Sequence, residues 1–205
     1  MIRDQETLTQ LVDIIERFVR ERLIPAEKQL AEEAKLPDDI LAEMKALGLF
    51  GLTIPEQYGG LGLTMEEEIQ VAIALGRTSP AFRSIIGTNN GIGSAAIIFS
   101  GSEQQKQKYL PKYATGEWIS CFCLTEPEAG SDAAALKTSA RREGDHYILN
   151  GTKRFITNAP VADTFNVMAR TNPDIKGARG ISSFIVEKSS PGISLGAIDK
   201  KMGQS

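Results

Sequence analysis

The sequence has few of the residues that build disulfide or metal scaffolds. It contains two cysteines and one histidine among 205 residues. Cys121 and Cys123 are two positions apart, so on a strand they would point the same way, too close in the chain for an ordinary disulfide. His146 lies in a different segment, and no second cysteine pair completes a zinc site. We therefore expect two reduced, half-buried thiols, a solvated surface histidine and no metal.

Three further absences exclude broad classes of protein. The net charge of -3 gives no general attraction to nucleic acid or to anionic membranes. No apolar run reaches the length of a membrane span. The N-terminal MIRDQETLTQ has no apolar signal core, which argues against export. The apolar share of 41% and the charged share of 24% are ordinary for a globular chain. We expect a cytoplasmic protein without nucleic-acid or membrane partners.

The first part of the chain has the periodicity of helices. Apolar residues recur at spacings of three and four between Leu8 and Val19, and Pro25 then interrupts the pattern. Pro37 predicts the start of a second helix, and Gly48 predicts its end. The mostly apolar run 85–99 is long enough for a buried helix. Two capping-box pairs mark further helix starts, namely Thr64 with Glu67 and Ser102 with Gln105.

After Trp118, which we expect in the core at the start of a strand, the pattern changes. Short segments rich in β-branched and aromatic residues are separated by turn signals. HYILNGTKRFIT predicts a hairpin with Asn150-Gly151 as a type I′ turn. The fold class is therefore α+β: an all-α domain (1–117) followed by a partial antiparallel β-barrel or sandwich (118–205). The predicted strands lie in WISCFCL, HYILNG, RFIT, FNVMAR and SSFIVE.

The polar stretch that follows the first of these strands is the strongest functional signal. The strand ends at Leu124, and Thr125 and Ser131 supply hydroxyls. Gly130 allows a ligand to approach the backbone closely, and successive backbone N–H groups near a turn can bind an anion. The stretch is neither a Walker A loop nor a dinucleotide-binding glycine motif. It indicates a site for a phosphate-bearing cofactor with polar ring edges, and a plain acidic surface turn is the alternative.

Several motifs, in order along nearly the whole chain, resemble those of the acyl-CoA dehydrogenase family. In that family N-terminal helices precede a β domain, a C-terminal four-helix domain follows, and FAD lies between the last two. The first signature ends at Asp132, and FIT follows 23 residues later. The motifs are IPEQYGGLG, GSEQQKQKYLPKYATGE, CLTEPEAGSD, GDHYILNGTKRFITN and GISSFIVEKSSPGISLG.

The resemblance implies cofactor roles by position. Phe122 to Ser131 would form the first FAD segment, in which Thr125 and the backbone N–H of Leu124 bond the pyrimidine side of the flavin. Ser131 would also lie where the FAD pyrophosphate meets the acyl-CoA arm. The second segment would have the Thr157 hydroxyl near flavin N5, the hydride acceptor. It consists of Phe155, Ile156 and Thr157.

Two residues depart from the family pattern, and one helix remains ambiguous. Glu128 stands where the family usually has glycine, and an acidic side chain there disfavours a pyrophosphate unless it points away. Phe155 replaces a common tryptophan and so loses packing area and the indole N–H. The segment 84–93 matches the helix that lines the acyl pocket. Its polar residues either contact substrate or pack between helices: Ser84, Thr88, Asn89 and Asn90.

The resemblance also implies the reaction. In the family a glutamate removes the α-proton of an acyl-CoA thioester while the β-hydride passes to the flavin. That glutamate lies in the C-terminal domain, so we assign no catalytic residue in this chain, and Glu126 and Glu128 are not substitutes. The implied partners are acyl-CoA and an electron-transfer flavoprotein, with a homotetramer as the assembly.

Three hypotheses follow. The first is an FAD-dependent acyl-CoA dehydrogenase represented by its N-terminal and partial middle domains, inactive alone. The second is an acyl-CoA oxidase or flavin monooxygenase of the same superfamily. The third is a non-catalytic truncated remnant, favoured by the abrupt sequence 200–205, which has neither a helix cap nor a polar tail.

Overall fold

The computed structural model describes residues 5–199 and 201, which form two compact units that divide after Ile119. The first is helical, and the second, Ser120–Ala197, is built on one sheet. Apart from Lys201, the abrupt end at 200–205 lies outside the described residues. No described helix is long and apolar enough to cross a membrane.

The first unit contains seven α-helices within the described residues. A π-helical turn, Val19–Leu23, separates the first two. Pro25 lacks an N–H, and its ring crowds the carbonyl four residues earlier, so the wider turn lets the chain continue in helical form. The apolar pattern breaks at Pro25, but helical structure continues to Glu33, so the helix predicted to start at Pro37 is the third and not the second. The helices are α1 (Gln5–Phe18), α2 (Ile24–Glu33), α3 (Asp38–Ala46), α4 (Met65–Leu75), α5 (Pro80–Asn90), α6 (Ile92–Ser100) and α7 (Glu103–Ala114).

The predicted helix starts and ends are confirmed. Both capping boxes form: Thr64 caps α4 and Ser102 caps α7, each with reciprocal bonds to the residue three positions on. Pro37 precedes α3, and Gly48 follows it with a φ of 70°, a left-handed conformation that glycine adopts without strain. These caps satisfy backbone groups that have no partner inside the helix.

The single helix predicted over 85–99 is wrong, because the chain breaks at Gly91 into α5 and α6. Trp118 is half-buried rather than in the core, and it precedes the first strand by two residues. Its ring lies 3.9 Å from the Lys112 ammonium. The core of the unit packs side chains from α1 to α5, among them Ile15, Leu23, Met44, Phe50, Val71, Phe82 and Ile86.

The second unit is a mixed five-stranded sheet, which corrects the prediction of a purely antiparallel domain. The central strand, β4, pairs in parallel with β1 and, at its end, with β2, and it pairs antiparallel with β5 along its whole length. No α-helical crossover occurs between the described strands. The strands are β1 (Ser120–Cys123), β2 (Ser139–Glu143), β3 (His146–Asn150), β4 (Thr164–Arg170) and β5 (Ile181–Glu187).

The predicted hairpin over 146–157 is also wrong. β3 pairs instead with the preceding strand β2, and Gly144, at a φ of 62°, makes the turn. The backbone of Gly151 packs closely against Thr138, because a Cβ at Gly151 would lie 2.3 Å from the Thr138 hydroxyl oxygen. The segment after it, which includes the expected strand RFIT, is irregular and lies against the loop after β1.

The two thiols point the same way from β1, as expected, with their sulfurs 3.7 Å apart. Both are fully buried rather than half-buried, in a core formed with Ala162 and Phe165. The hydrogen bond with Cys123, together with burial, raises the pKa of Cys121. His146 is exposed, as predicted. No group of metal-ligating residues occurs in the part of the chain that the structure describes.

Candidate functional site

The chain makes a tight turn directly after β1, within the polar stretch that the sequence singled out. The N–H of Glu126 donates to the Ala129 carbonyl at 3.0 Å, and the reverse bond is 3.2 Å long. Pro127 and Glu128 form the exposed tip. The turn therefore places one carboxylate at its base and one at its tip.

Glu126, at the base of the turn, is 7% exposed and accepts four hydrogen bonds. The backbone N–H groups of Lys137 and Thr138 donate at 2.6 and 2.9 Å. The Thr138 hydroxyl donates as well. The Lys153 ammonium completes the set at 2.8 Å. The carboxylate is thus fully engaged within the protein.

These donors decide the ionisation of Glu126. Burial alone raises the pKa of a carboxyl group, because it disfavours the charged form. The bonds from the Lys137 and Thr138 N–H groups, the Thr138 hydroxyl and the Lys153 ammonium outweigh burial and lower the pKa to about 2. Glu126 is therefore an anion at neutral pH and cannot act as a general base while these bonds persist.

Two consecutive residues bring the second signature against the first. Lys153 donates from its ammonium to the Leu124 carbonyl at 3.0 Å. The N–H of Arg154 donates to the Thr125 carbonyl at 2.9 Å. Segments that are almost thirty positions apart in the sequence are therefore bonded side by side, and their polar groups belong to one site.

The predicted cofactor residues of the two segments differ in exposure. Within the described residues, the hydroxyls of Thr125, Ser131 and Thr157 have no hydrogen-bond partner. Ile156 packs on the buried cluster around Cys121 and is half-buried. The half-buried residues are Phe122, Leu124, Thr125 and Ile156, and the exposed ones are Gly130, Ser131, Phe155 and Thr157.

Phe155 is the most unusual residue of the site. Its φ of 55° lies in the left-handed region, which costs a bulky side chain roughly 1–3 kcal/mol. Its ring is 71% exposed, and the Arg154 guanidinium lies 4.8 Å from the ring centre. Backbone strain of this kind clusters at functional sites, so the exposed ring is a candidate contact for a ligand.

Glu128, the acidic departure from the family pattern, is paired at the surface. Its carboxylate bonds the Lys137 ammonium, and both side chains are exposed. This hydrogen bond lowers the pKa of Glu128. The lysine offsets the negative charge that would disfavour a pyrophosphate nearby.

Two polar residues of α5 make hydrogen bonds inside the helical unit. The Asn89 amide donates to the carbonyls of Tyr113 and Trp118, and the Asn90 amide donates to that of Leu49. Asn90 Oδ1 is buried without a partner in the described structure. Asn90 also lines a cleft of about 10 Å³, which is room for about one water. Both asparagines therefore hold the helical unit together.

The two residues of α5 predicted to bind substrate, Ser84 and Thr88, precede the asparagines in the helix. Ser84 is half-buried and donates to the Pro80 carbonyl at 3.0 Å, while Thr88 is 5% exposed. Neither of them lines the same cleft as Asn90.

The prediction missed the contact between Glu126 and Lys153. The two residues are 27 positions apart, and neither residue type indicates burial, because charged side chains are mostly exposed. The one available signal in the sequence was the position of Lys153, two residues before the second signature segment.

Comparison with known proteins gives consistent matches. Family models for the N-terminal and middle domains of acyl-CoA dehydrogenase match residues 5–117 and 121–205. The chain is 38% identical over 190 residues to an acyl-CoA dehydrogenase of Bacillus subtilis (strain 168), covering 93% of this chain and 50% of that protein. It therefore spans about half the length of that curated relative.

Solved structures share the fold. A chain from the electron transferring flavoprotein study of Acidaminococcus fermentans matches with a TM-score of 0.91 and 36% identity, over 100% of this chain and 53% of that one. An acyl-CoA dehydrogenase from Bacillus anthracis complexed with FAD matches with a TM-score of 0.84 and 37% identity, over 97% of this chain and 34% of that one.

Proposed function

Since the chain belongs to the acyl-CoA dehydrogenase family, we propose that it forms the FAD-binding part of an enzyme that oxidises an acyl-CoA thioester between its α and β carbons. The observation that carries the proposal is the bonding of the two signature segments, through Arg154 to Thr125 and through Lys153 to Leu124. A relative of similar fold is complexed with FAD.

The residues of the site fit a flavin. Thr125, beside the backbone of Leu124, would supply a hydroxyl for the polar edge of the ring, and Thr157 would supply a second hydroxyl near N5. Phe155 presents an exposed aromatic face, suited to packing against a flat ring. Gly130 and Ser131 would hold the pyrophosphate. When bound, FAD supplies the oxidant that accepts the β-hydride.

The residues of this chain orient and bind, and none of them removes the α-proton. Glu126 is engaged by four donors and Glu128 by Lys137. We propose that the proton-abstracting carboxylate lies in the part of the relatives' length that this chain does not span. Ser131 and two residues of α5, Ser84 and Thr88, are our candidates for substrate contact.

The remaining assignments follow from the family. We propose that an electron-transfer flavoprotein reoxidises the flavin, and that the protein is a cytoplasmic homotetramer. The structural match to a chain from the electron transferring flavoprotein study supports the choice of acceptor.

The test uses the protein that carries this chain, at its natural length. Purified protein is mixed with acyl-CoAs of short to long chain and an artificial electron acceptor, and dye reduction is followed beside oxygen consumption. We expect a visible flavin band, dye reduction that depends on acyl-CoA, and slow reaction with oxygen. Fast oxygen consumption would instead indicate an oxidase, and a colourless protein that ignores added FAD would refute the proposal.

A further inference from the structure

A buried ion pair lies at the site, and the proposed chemistry leaves it without a role. The side chains of Glu126 and Lys153 are 6% and 11% exposed, and their charged atoms are 2.8 Å apart. Removing two charges from water is costly, so a buried pair persists only where further hydrogen bonds satisfy it. Lys153 also bonds the Leu124 carbonyl, and Glu126 also accepts from Lys137 and Thr138.

The lysine side of the pair controls the backbone of the first segment. The Lys153 ammonium bridges the Leu124 carbonyl and the Glu126 carboxylate, at 3.0 and 2.8 Å. The next residue, Arg154, holds the Thr125 carbonyl between them. Three successive residues of the loop are therefore fixed by two successive residues of the second segment. This fixes the direction of the Leu124 and Thr125 peptide planes.

The glutamate side extends the connection to a third segment. Glu126 also accepts from the N–H groups of Lys137 and Thr138, at the entrance to β2. One carboxylate thus joins the turn, the irregular segment after β3 and the start of a strand. Loss of its charge would loosen all three together.

We propose that Glu126 and Lys153 form a positioning pair, which orients the Leu124–Thr125 peptide toward the flavin and keeps the net charge beside it at zero. The proposal rests on the proposed function. A lone positive charge near a flavin stabilises its reduced, more negative form, and a lone negative charge opposes reduction. Removal of one partner should therefore shift the reduction potential, with opposite sign for the two partners.

The same unit offers a matched control. Arg141 and Glu143 form an ion pair on β2 whose side chains are 69% and 39% exposed. Exposed pairs contribute little, so Arg141→Met and Glu143→Gln repeat the two changes in charge without touching the site.

The experiment compares Glu126→Gln, Lys153→Met, the double variant and the two controls, all in the protein at its natural length. Three quantities are measured: the Kd for FAD, the flavin midpoint potential, and hydrogen exchange of the Arg154 amide in FAD-free protein. The third needs neither flavin nor activity. It reports directly on the bond to Thr125.

We expect Glu126→Gln to raise the midpoint potential and Lys153→Met to lower it, with the double variant near the wild type. Each single change should raise the Kd for FAD about tenfold or more, as expected for a lost hydrogen bond to a charged group. The Arg154 amide should exchange about tenfold faster in all three variants. The controls should match the wild type. A role confined to stability would not give potential shifts of opposite sign.

Suppose that the wild type binds FAD. The inference is then overturned if the two single variants keep the wild-type Kd and their midpoint potentials shift in the same direction or not at all. A wild type that binds no FAD would refute the proposed function, and unchanged Arg154 exchange would then refute the positioning role as well. If the single variants fail to fold, the neutral double variant provides the test. A double variant with the same Kd for FAD and the same Arg154 exchange rate as the wild type would contradict the proposal.

Discussion

A single carboxylate gives the second unit a specific sensitivity to acid. The donors around Glu126 hold its pKa at about 2, below the ordinary value of 4.5. Because the folded pKa is the lower one, the stabilisation is complete above pH 4.5 and is lost as the pH falls toward 2. A difference of this size corresponds to about 3 kcal/mol.

Urea denaturation between pH 6 and pH 2.5 measures this loss. Because pH 2.5 is still above the folded pKa, we expect the wild type to lose about 2.5 kcal/mol more than Glu126→Gln, which has no charge to lose. Glu143→Gln, which removes an exposed carboxylate of the same unit, should keep the wild-type slope. Parallel curves for the wild type and Glu126→Gln would show that the carboxylate is not held in this way.

Thr157 tests the proposed contact with the reacting edge of the flavin. Thr157→Val removes one hydroxyl and should slow flavin reduction by acyl-CoA about 2- to 12-fold, the value of one net hydrogen bond. The Kd for FAD should change less. Stopped-flow absorbance and FAD titration measure the two quantities, with the exposed Thr152→Val as control. Equal losses in both quantities would argue against the placement of Thr157.

At the scale of elements, local signals were predictable and distant pairings were not. The capping boxes at Thr64 and Ser102 formed as expected because all their partners lie within one turn. The hairpin at Asn150-Gly151 failed because β3 found its partner in β2. Parallel pairing of β1 with β4 joins residues 44 positions apart, Ser120 and Thr164 among them, which no local pattern reveals.

Site residues followed the same rule. The first segment was identified from its own composition and from the family pattern. Its attachment to Lys153 and Arg154 depends on a contact between distant segments. The strain at Phe155 is likewise imposed by the surrounding structure.

Gly151 connects the element scale to the site. A methyl group there would overlap Thr138, which holds Glu126. Gly151→Ala should therefore destabilise the protein by about 1–3 kcal/mol and weaken FAD binding. The control is Gly196→Ala, where a Cβ meets nothing within 4 Å and the effect should stay within about 0.5 kcal/mol. Equal guanidinium midpoints for the two variants would contradict the packing described.

At the scale of the whole molecule, the chain spans 50% of its Bacillus subtilis relative. Both glutamates of the loop after β1 are engaged, so we expect the 205-residue chain, expressed alone, to show no dehydrogenase turnover. A missing general base alone typically lowers a rate by about 10²–10⁴-fold. Dye reduction with added FAD and a panel of acyl-CoAs tests this. Turnover above the free-flavin background would make Glu126 and Glu128 the first residues to mutate.

We propose that the two signature segments bind FAD together. Hydrogen exchange read by mass spectrometry, with and without FAD, tests it most directly in the protein that carries this chain. We expect FAD-dependent protection in peptides that cover 122–131 and 153–157, and none at the turn between β2 and β3. Protection of only one segment, or FAD binding that protects neither, would contradict the claim.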